Sequence, residues 1–268
     1  MIPKNHKEFI DRTIKILKED LRIVGIKVGG SYITEDMDEF SDLDLVIVVE
    51  PESYDTVMNE REIIAECLGE LLSSFIGFHV GEPRLLICLY GPELLHVDLK
   101  FVSLDDIADR VEDAVVIWER DNKISEKLKD KEAIFPIPTM QHIEDRMWVW
   151  VHYGAAKIGR GEIFESIEFI SFLRQTVIGP LLLRRKGLLP KGVRKLEINV
   201  PESMEDLKDT IAGHSLESCI NALHKIVEMY VELRESFITD DFIKRERAEK
   251  LCMEYLDKIS SKNFDNYK

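Results

Sequence analysis

Residues 28–50 read VGGSYITEDMDEFSDLDLVIVVE, and the reading of the whole chain turns on a conflict inside them. The final eight residues, LDLVIVVE, are apolar and β-branched, as in a buried strand. Yet Asp42 and Asp44 open that strand, and side chains two residues apart on a strand share a face. Carboxylates held so close repel each other and require a cation or a proton. Just upstream, Gly29-Gly30-Ser31 supplies a complement. Glycine allows close backbone approach, a tight turn aims N–H groups at an anion, and Ser31 adds a hydroxyl. A third acid lies in HVDLKFV, residues 96–102. There His96, Asp98 and Lys100 share one face, and Val97, Leu99 and Phe101 the other. Three carboxylates on neighbouring strands are a ligand set for two divalent cations. Mg²⁺ in particular takes a few carboxylates together with phosphate oxygens. Asp42, Asp44 and Asp98 are therefore the candidate metal ligands, and Gly29, Gly30 and Ser31 the candidate nucleotide grip.

Working outward, residues 3–20 have helical spacing and RIVGIKV (22–28) reads as a strand leading into the glycines. Residues 52–75 read as helical up to Gly77. RLLICLY and LLHVDLKFVS flank Gly91-Pro92-Glu93, the signature of an antiparallel hairpin. LDDIADR reads as a short helix capped by Ser103, and AVVIWER as a last strand. Two prolines in AIFPIPTMQ then mark a boundary. The rest reads as helices near 139–158, 162–186, 204–212, 216–236 and 241–260, with a frayed polar tail at 260–268. The expected organisation is α+β: a mixed sheet flanked by helices in 1–135, then an all-helical bundle in 136–268.

The formal net charge of −15 disfavours nucleic acid as a partner and suits a cationic small molecule. The four cysteines have no metal-ligand spacing and read as small buried hydrophobes. No run reads as apolar enough to span a bilayer, and MIPKNHKEFIDRT has no signal-peptide core. These features place the protein in the cytoplasm, off the membrane; a monomer or homodimer is expected.

The pattern resembles the nucleotidyltransferase superfamily that shares the DNA polymerase β catalytic fold, and within it the enzymes that modify aminoglycosides or lincosamides. Their hydrophobic-Gly-Ser turn, loop and SDLDL are matched by Gly30-Ser31 and Ser41-Asp42-Leu43-Asp44-Leu45, and their third acid by Asp98. VIWERDNKI is similar to their edge strand and turn. The helical segment WVWVHYGAAKIGRGEIFESIEFISFLRQTVIGPLLLRRKG and the following LLPKGVRKLE are similar to their second domain. The chain departs from the family at Thr34 and Glu35, where relatives carry a basic residue and a glycine. The resemblance implies transfer of a nucleoside monophosphate, AMP from ATP or another NTP, to a hydroxyl of a small molecule. It implies two Mg²⁺ ions, a phosphate-binding Lys157, and a general base at Glu168, with Glu165 one turn away as second choice. Lys100, on the face of Asp98, either pairs with the acids or touches phosphate. An antibiotic-resistance type of activity is one expectation. A regulatory or toxin–antitoxin nucleotidyltransferase acting on protein or RNA is the alternative, kept by the spacing of Arg146 and His152, which is similar to that of HEPN ribonucleases. A nucleotide-binding module without catalysis would have lost an acid, and all three are present.

Overall fold

In a computed structural model that describes residues 2–261, the chain forms two compact units, Met1–Pro136 and Ile137–Lys268. The first opens with helix α1 (Lys4–Leu17), which carries Phe9, Ile10 and Leu17 to the core. Strand β1 (Ile23–Val28) ends at the glycines, and β2 (Leu43–Val49) follows the acidic loop. Helix α2 (Tyr54–Cys67) leads to β3 (Glu70–Ile76), then to the hairpin β4 (Leu85–Gly91) and β5 (Leu95–Ser103). Strand β6 (Val115–Glu119) and the short helix α3 (Lys123–Leu128) complete the unit. The six strands lie in the order β3-β4-β5-β2-β1-β6. The β2–β5 pair is parallel and the other four pairs are antiparallel. The fold is α+β with a mixed sheet, as expected.

Strand alternation sorts the sheet into two faces. Ile26, Val28, Leu43, Leu45, Ile47, Val97, Leu99 and Phe101 pack on one face, under Phe9 and Leu17 of α1 and Val57, Ile64 and Ala65 of α2. The other face carries a smaller cluster of Val24, Val48, Val102, Ile107 and Ile124. The acids lie on this second face, displaced along β2 and β5 from its apolar patch.

Two local readings are corrected, and one element is added. Residues 70–76, expected as the end of a helix, form strand β3, because Leu68 and Gly69 end α2 and the chain turns to pair with β4. Being an edge strand, β3 leaves Leu72 and Phe75 about half exposed, so no period-two burial marks it. LDDIADR shrinks to one 3₁₀ turn at Leu104–Asp106, although Ser103 Oγ does accept the Asp105 N–H at 3.3 Å. Residues 123–128, for which the sequence offered no element of their own, form α3.

The second unit is all helical: α4 (Met140–Gly159), α5 (Ile163–Leu173), α6 (Gly179–Arg185), α7 (Leu196–Asn199), α8 (Met204–Asp209), α9 (Leu216–Glu235) and α10 (Glu246–Ser260). The helix expected over 162–186 contains a π turn at Arg174–Ile178. Pro180 lacks an N–H and its ring would meet the carbonyl four residues back, so the ladder is loosened just before it. Ile163–Arg185 is long and apolar enough to cross a membrane by length and composition, against the sequence reading. Half of its most apolar stretch is buried, with Ile170, Leu173, Val177, Ile178, Leu181 and Leu182 in the core of this unit. The last helix starts at Glu246 rather than near 241. Beyond residue 261 the expected frayed tail lies outside the described residues.

A buried ionic network joins three of these helices. Glu144 on α4 and Arg234 on α9 are fully buried and pair at 3.2 Å, and Arg234 also reaches Glu249 on α10 at 2.9 Å. Glu144 further accepts from Trp148 Nε1 (3.0 Å), the Arg245 amide (2.8 Å) and the Tyr230 hydroxyl. Burial opposes its ionisation, but these hydrogen bonds outweigh that and hold the carboxyl below its usual range. Removing Glu144 takes one carboxylate from the buried Arg234 and the acceptor from Trp148 Nε1, the Tyr230 hydroxyl and the Arg245 amide. Glu144→Ala is expected to cost about 3–5 kcal/mol of unfolding free energy by urea denaturation, with Glu144→Gln losing less.

Candidate active site

The parallel register of β2 and β5 sets Asp44 directly opposite Asp98. That register is enforced from beneath, since a slip by one residue would turn Leu43, Leu45, Val97 and Leu99 out of the core. Asp42 precedes the strand by one residue and lies near enough to oppose ionisation of Asp98. Burial is the larger cause, and together they raise the Asp98 carboxyl above its ordinary value against the opposing pull of His96. His96 Nε2 lies 3.1 Å from Asp98 Oδ1, and its side chain is half exposed. The histidine thus accompanies the third acid.

The turn comes over the same end of β2. The Gly29 N–H donates to the Asp44 carbonyl at 2.8 Å, and Gly30 takes a φ of +59°. The Asp44 carboxylate occupies the space that a Gly30 side chain would need: a β-carbon there would lie 2.0 Å from Asp44 Oδ2. Ser31 Oγ is buried without a hydrogen-bond partner among the described residues. Below the turn, Met37 anchors the acidic loop in the core at 8% exposure, and the Asp38 carboxylate bonds the Phe40 amide and the Ser41 hydroxyl.

Among the described residues, no group of three or more His, Cys, Asp or Glu side chains converges as a ready metal cage. The donor chemistry nevertheless fits a hard divalent cation carrying phosphate. Asp44 and Asp98 are cross-strand neighbours, Asp42 adjoins them, and the orphaned Ser31 hydroxyl faces no protein acceptor.

Lys100 is on the acid face but pairs elsewhere: its ammonium lies 2.7 Å from Glu82, which is also bound by Arg84 at 2.7 Å. The Arg84 bond, more than that of Lys100, pulls the Glu82 carboxyl down to about 2. In the structure this lysine is held by Glu82 rather than by the acids.

Two residues on this face went unmarked in the sequence reading. Lys27 of β1 is 2% exposed, beside Val46 and Val116 in the neighbouring strands. Burial, helped by the nearby Arg110 and opposed by Asp113, lowers its amine from the ordinary value. A charged residue inside IVGIKV was the available signal. The other is Glu112, from the β5–β6 connection, whose Oε1 accepts the Gly30 N–H at 3.0 Å.

The remaining expected site residues belong to the helical unit. Lys157 is engaged there, 2.6 Å from Glu162 and over the Tyr153 ring at 5.3 Å. Glu165 accepts the Tyr153 hydroxyl at 2.7 Å. Glu168 is exposed and has neither a hydrogen bond nor an ion pair among the described residues. Trp150, Tyr153, Phe169 and Phe172 form a run of ring contacts at 4.7–5.6 Å, whereas Trp148 is buried. Arg146 donates back to the His142 carbonyl at 2.9 Å, and His152 lies flat on Tyr255 at 4.9 Å. Six residues apart on α4, the two point to different sides of the helix.

Residues 10–82 match the family profile of the nucleotidyltransferase domain, which spans β1, the glycine turn, the acidic loop, β2, α2 and β3. Residues 10–82 are thus similar to a nucleotidyltransferase domain, and that segment lies within the N-terminal unit. Asp98 lies beyond the matched segment, and the sheet register alone brings it to the other two acids. No curated protein matches the chain. Among solved structures it is similar to an aminoglycoside 6-adenyltransferase from Bacillus subtilis, at 15% identity over 96% of this chain and 98% of that one, with a TM-score of 0.42. A nucleotidyltransferase-like protein from Exiguobacterium sibiricum aligns at 15% identity over 84% and 74%, with a TM-score of 0.37. The spectinomycin adenyltransferase AAD(9) from Enterococcus faecialis, solved with ATP and spectinomycin, aligns at 10% identity over 95% and 99%, with a TM-score of 0.29.

The two glycines of the turn should respond differently to a methyl group. At Gly29 a β-carbon meets its nearest atom at 3.5 Å, and φ is −109°. Gly29→Ala is expected to change stability by less than about 0.5 kcal/mol, and Gly30→Ala to cost more than about 1 kcal/mol, in matched urea denaturations.

Proposed function

We propose that the protein is a Mg²⁺-dependent nucleotidyltransferase that moves a nucleoside monophosphate, AMP from ATP, to a hydroxyl of a small molecule. The observation that carries this reading is the opposition of Asp44 and Asp98 in the β2–β5 pair, beside a glycine turn with an unpartnered serine hydroxyl. Asp42, Asp44 and Asp98 would hold the cation, which would supply charge neutralisation at the phosphates. In the reaction the acceptor oxygen forms a bond to the α-phosphorus, the bond from that phosphorus to the bridging oxygen breaks, and pyrophosphate leaves. The chain's own contribution is positioning: Gly29, Gly30 and Ser31 grip phosphate oxygens, and the paired acids fix where the positive charge sits. The acceptor's proton passes to a carboxylate, which we assign to Glu168. Glu168 has no competing partner in its own unit, whereas Glu165 is already bonded to Tyr153. We assign the helical unit to the acceptor. A formal charge of −15 and the loop TEDMDE favour an acceptor that carries amines, such as an aminoglycoside.

Incubation with α-labelled ATP, Mg²⁺ and a panel of polyamine and sugar alcohols should transfer label to a small molecule. Asp44→Asn is expected to reduce the rate at least 100-fold, an order-of-magnitude figure for loss of a charge-organising group. Label on protein or RNA instead would favour the regulatory alternative. Undiminished transfer by Asp44→Asn would remove the basis of the assignment.

A further inference from the structure

The amide on which the proposed phosphate grip depends already has an acceptor. Glu112, 82 residues further along the chain, accepts the Gly30 N–H through Oε1 at 3.0 Å. The same oxygen lies 3.5 Å from where a Gly29 β-carbon would sit, and Asp44 Cβ lies 3.6 Å from that point. With Asp44 Oδ2 against Gly30, two carboxylates converge on the same pair of glycines. Like charges so placed repel. A backbone N–H in a tight turn is a phosphate donor by nature, and here a side-chain carboxylate takes the part of the phosphate.

The segment that delivers Glu112 is anchored away from the turn. Ile107 is 3% exposed in the second-face cluster. Arg110 bonds the Asp113 carboxylate at 2.6 Å, and its carbonyl accepts the Ile134 amide at 3.0 Å. Between those points Val111 is 54% exposed. Glu112 is thus carried by a short span tethered on both sides.

We propose that Glu112 is a built-in competitor for the nucleotide's phosphates: it holds the Gly30 amide, and an arriving triphosphate must displace it. The inference rests on the nucleotide-transfer reading of the turn. Binding is then an exchange of one anion for another at Gly30, and Glu112 sets the threshold. A bare polyanion must displace Glu112 and also approach the Asp44 carboxylate that lies against Gly30. A metal-complexed triphosphate brings its own compensation. Glu112 would make the site selective for nucleotide that arrives with its cation.

Calorimetric titration of the full chain with MgATP, and with metal-free inorganic pyrophosphate, tests this on wild type, Glu112→Gln and Glu112→Ala. Glu112→Ala is expected to bind both probes more tightly, by roughly tenfold for the removal of one charge-assisted competitor. The gain should be larger for pyrophosphate. Glu112→Gln keeps an acceptor oxygen without the charge and should fall between. Thermal melts run alongside separate a latch from a competitor: a purely structural Glu112 would lower the melting temperature and leave affinity equal or weaker. Equal or weaker binding by both variants, with MgATP bound by wild type, overturns the inference and leaves the transfer reading intact. Absence of binding by all three proteins overturns both.

Discussion

Asp44 and Asp98 stand side by side because the core beneath them permits no other register. Leu43, Leu45 and Ile47 of β2 and Val97, Leu99 and Phe101 of β5 are almost completely buried under α1 and α2. Alternation then obliges the intervening acids to emerge together on the opposite face. Two like charges are held together by the hydrophobic effect acting on the other side of the sheet. Each of these six buried side chains contributes on the order of 1.5–3 kcal/mol, so the juxtaposition is affordable.

From that constraint the rest of the site follows. The turn after β1 must pass the Asp44 carboxylate at van der Waals range, which is why Gly30 has no side chain and a left-handed φ. Lys27, the nearest buried amine on this face of β1, keeps its place between Val46 and Val116. Lys100 turns to Glu82 and leaves the acids uncompensated by the cation most favourably placed in sequence. The arrangement keeps a concentration of negative charge next to anion-binding backbone, which suits a ligand carrying both signs at once, a cation-bound phosphate.

The strands that build the site were legible because both faces of β1, β2 and the β4–β5 hairpin are constrained by burial, and burial writes a period into sequence. The three acids and the glycine turn were legible for the same reason: their residue types are wrong for the strands they interrupt. β3 was not, since an edge strand with half-exposed Leu72 and Phe75 has no alternation to read, and its leucines continue the spacing of α2. The π turn before Pro180 shows in sequence only as a proline within an otherwise helical run. Glu112 was invisible, since its contact with Gly30 depends on how the β5–β6 connection folds back across 82 positions. Lys157, which the resemblance marks as a phosphate ligand, is paired with Glu162, a contact that spacing alone did not announce.

The central claim is that the Asp44–Asp98 pair is tolerated for the sake of a cation-bound nucleotide. Equilibrium denaturation of wild type and Asp98→Asn, each with and without MgATP, addresses it directly. Without ligand, Asp98→Asn should equal or exceed wild type, because one of two repelling charges is gone. With MgATP at about 100 times its Kd, wild type alone should gain about 2.7 kcal/mol. An Asp98→Asn variant that is less stable without ligand, or that gains as much as wild type with it, would contradict the account.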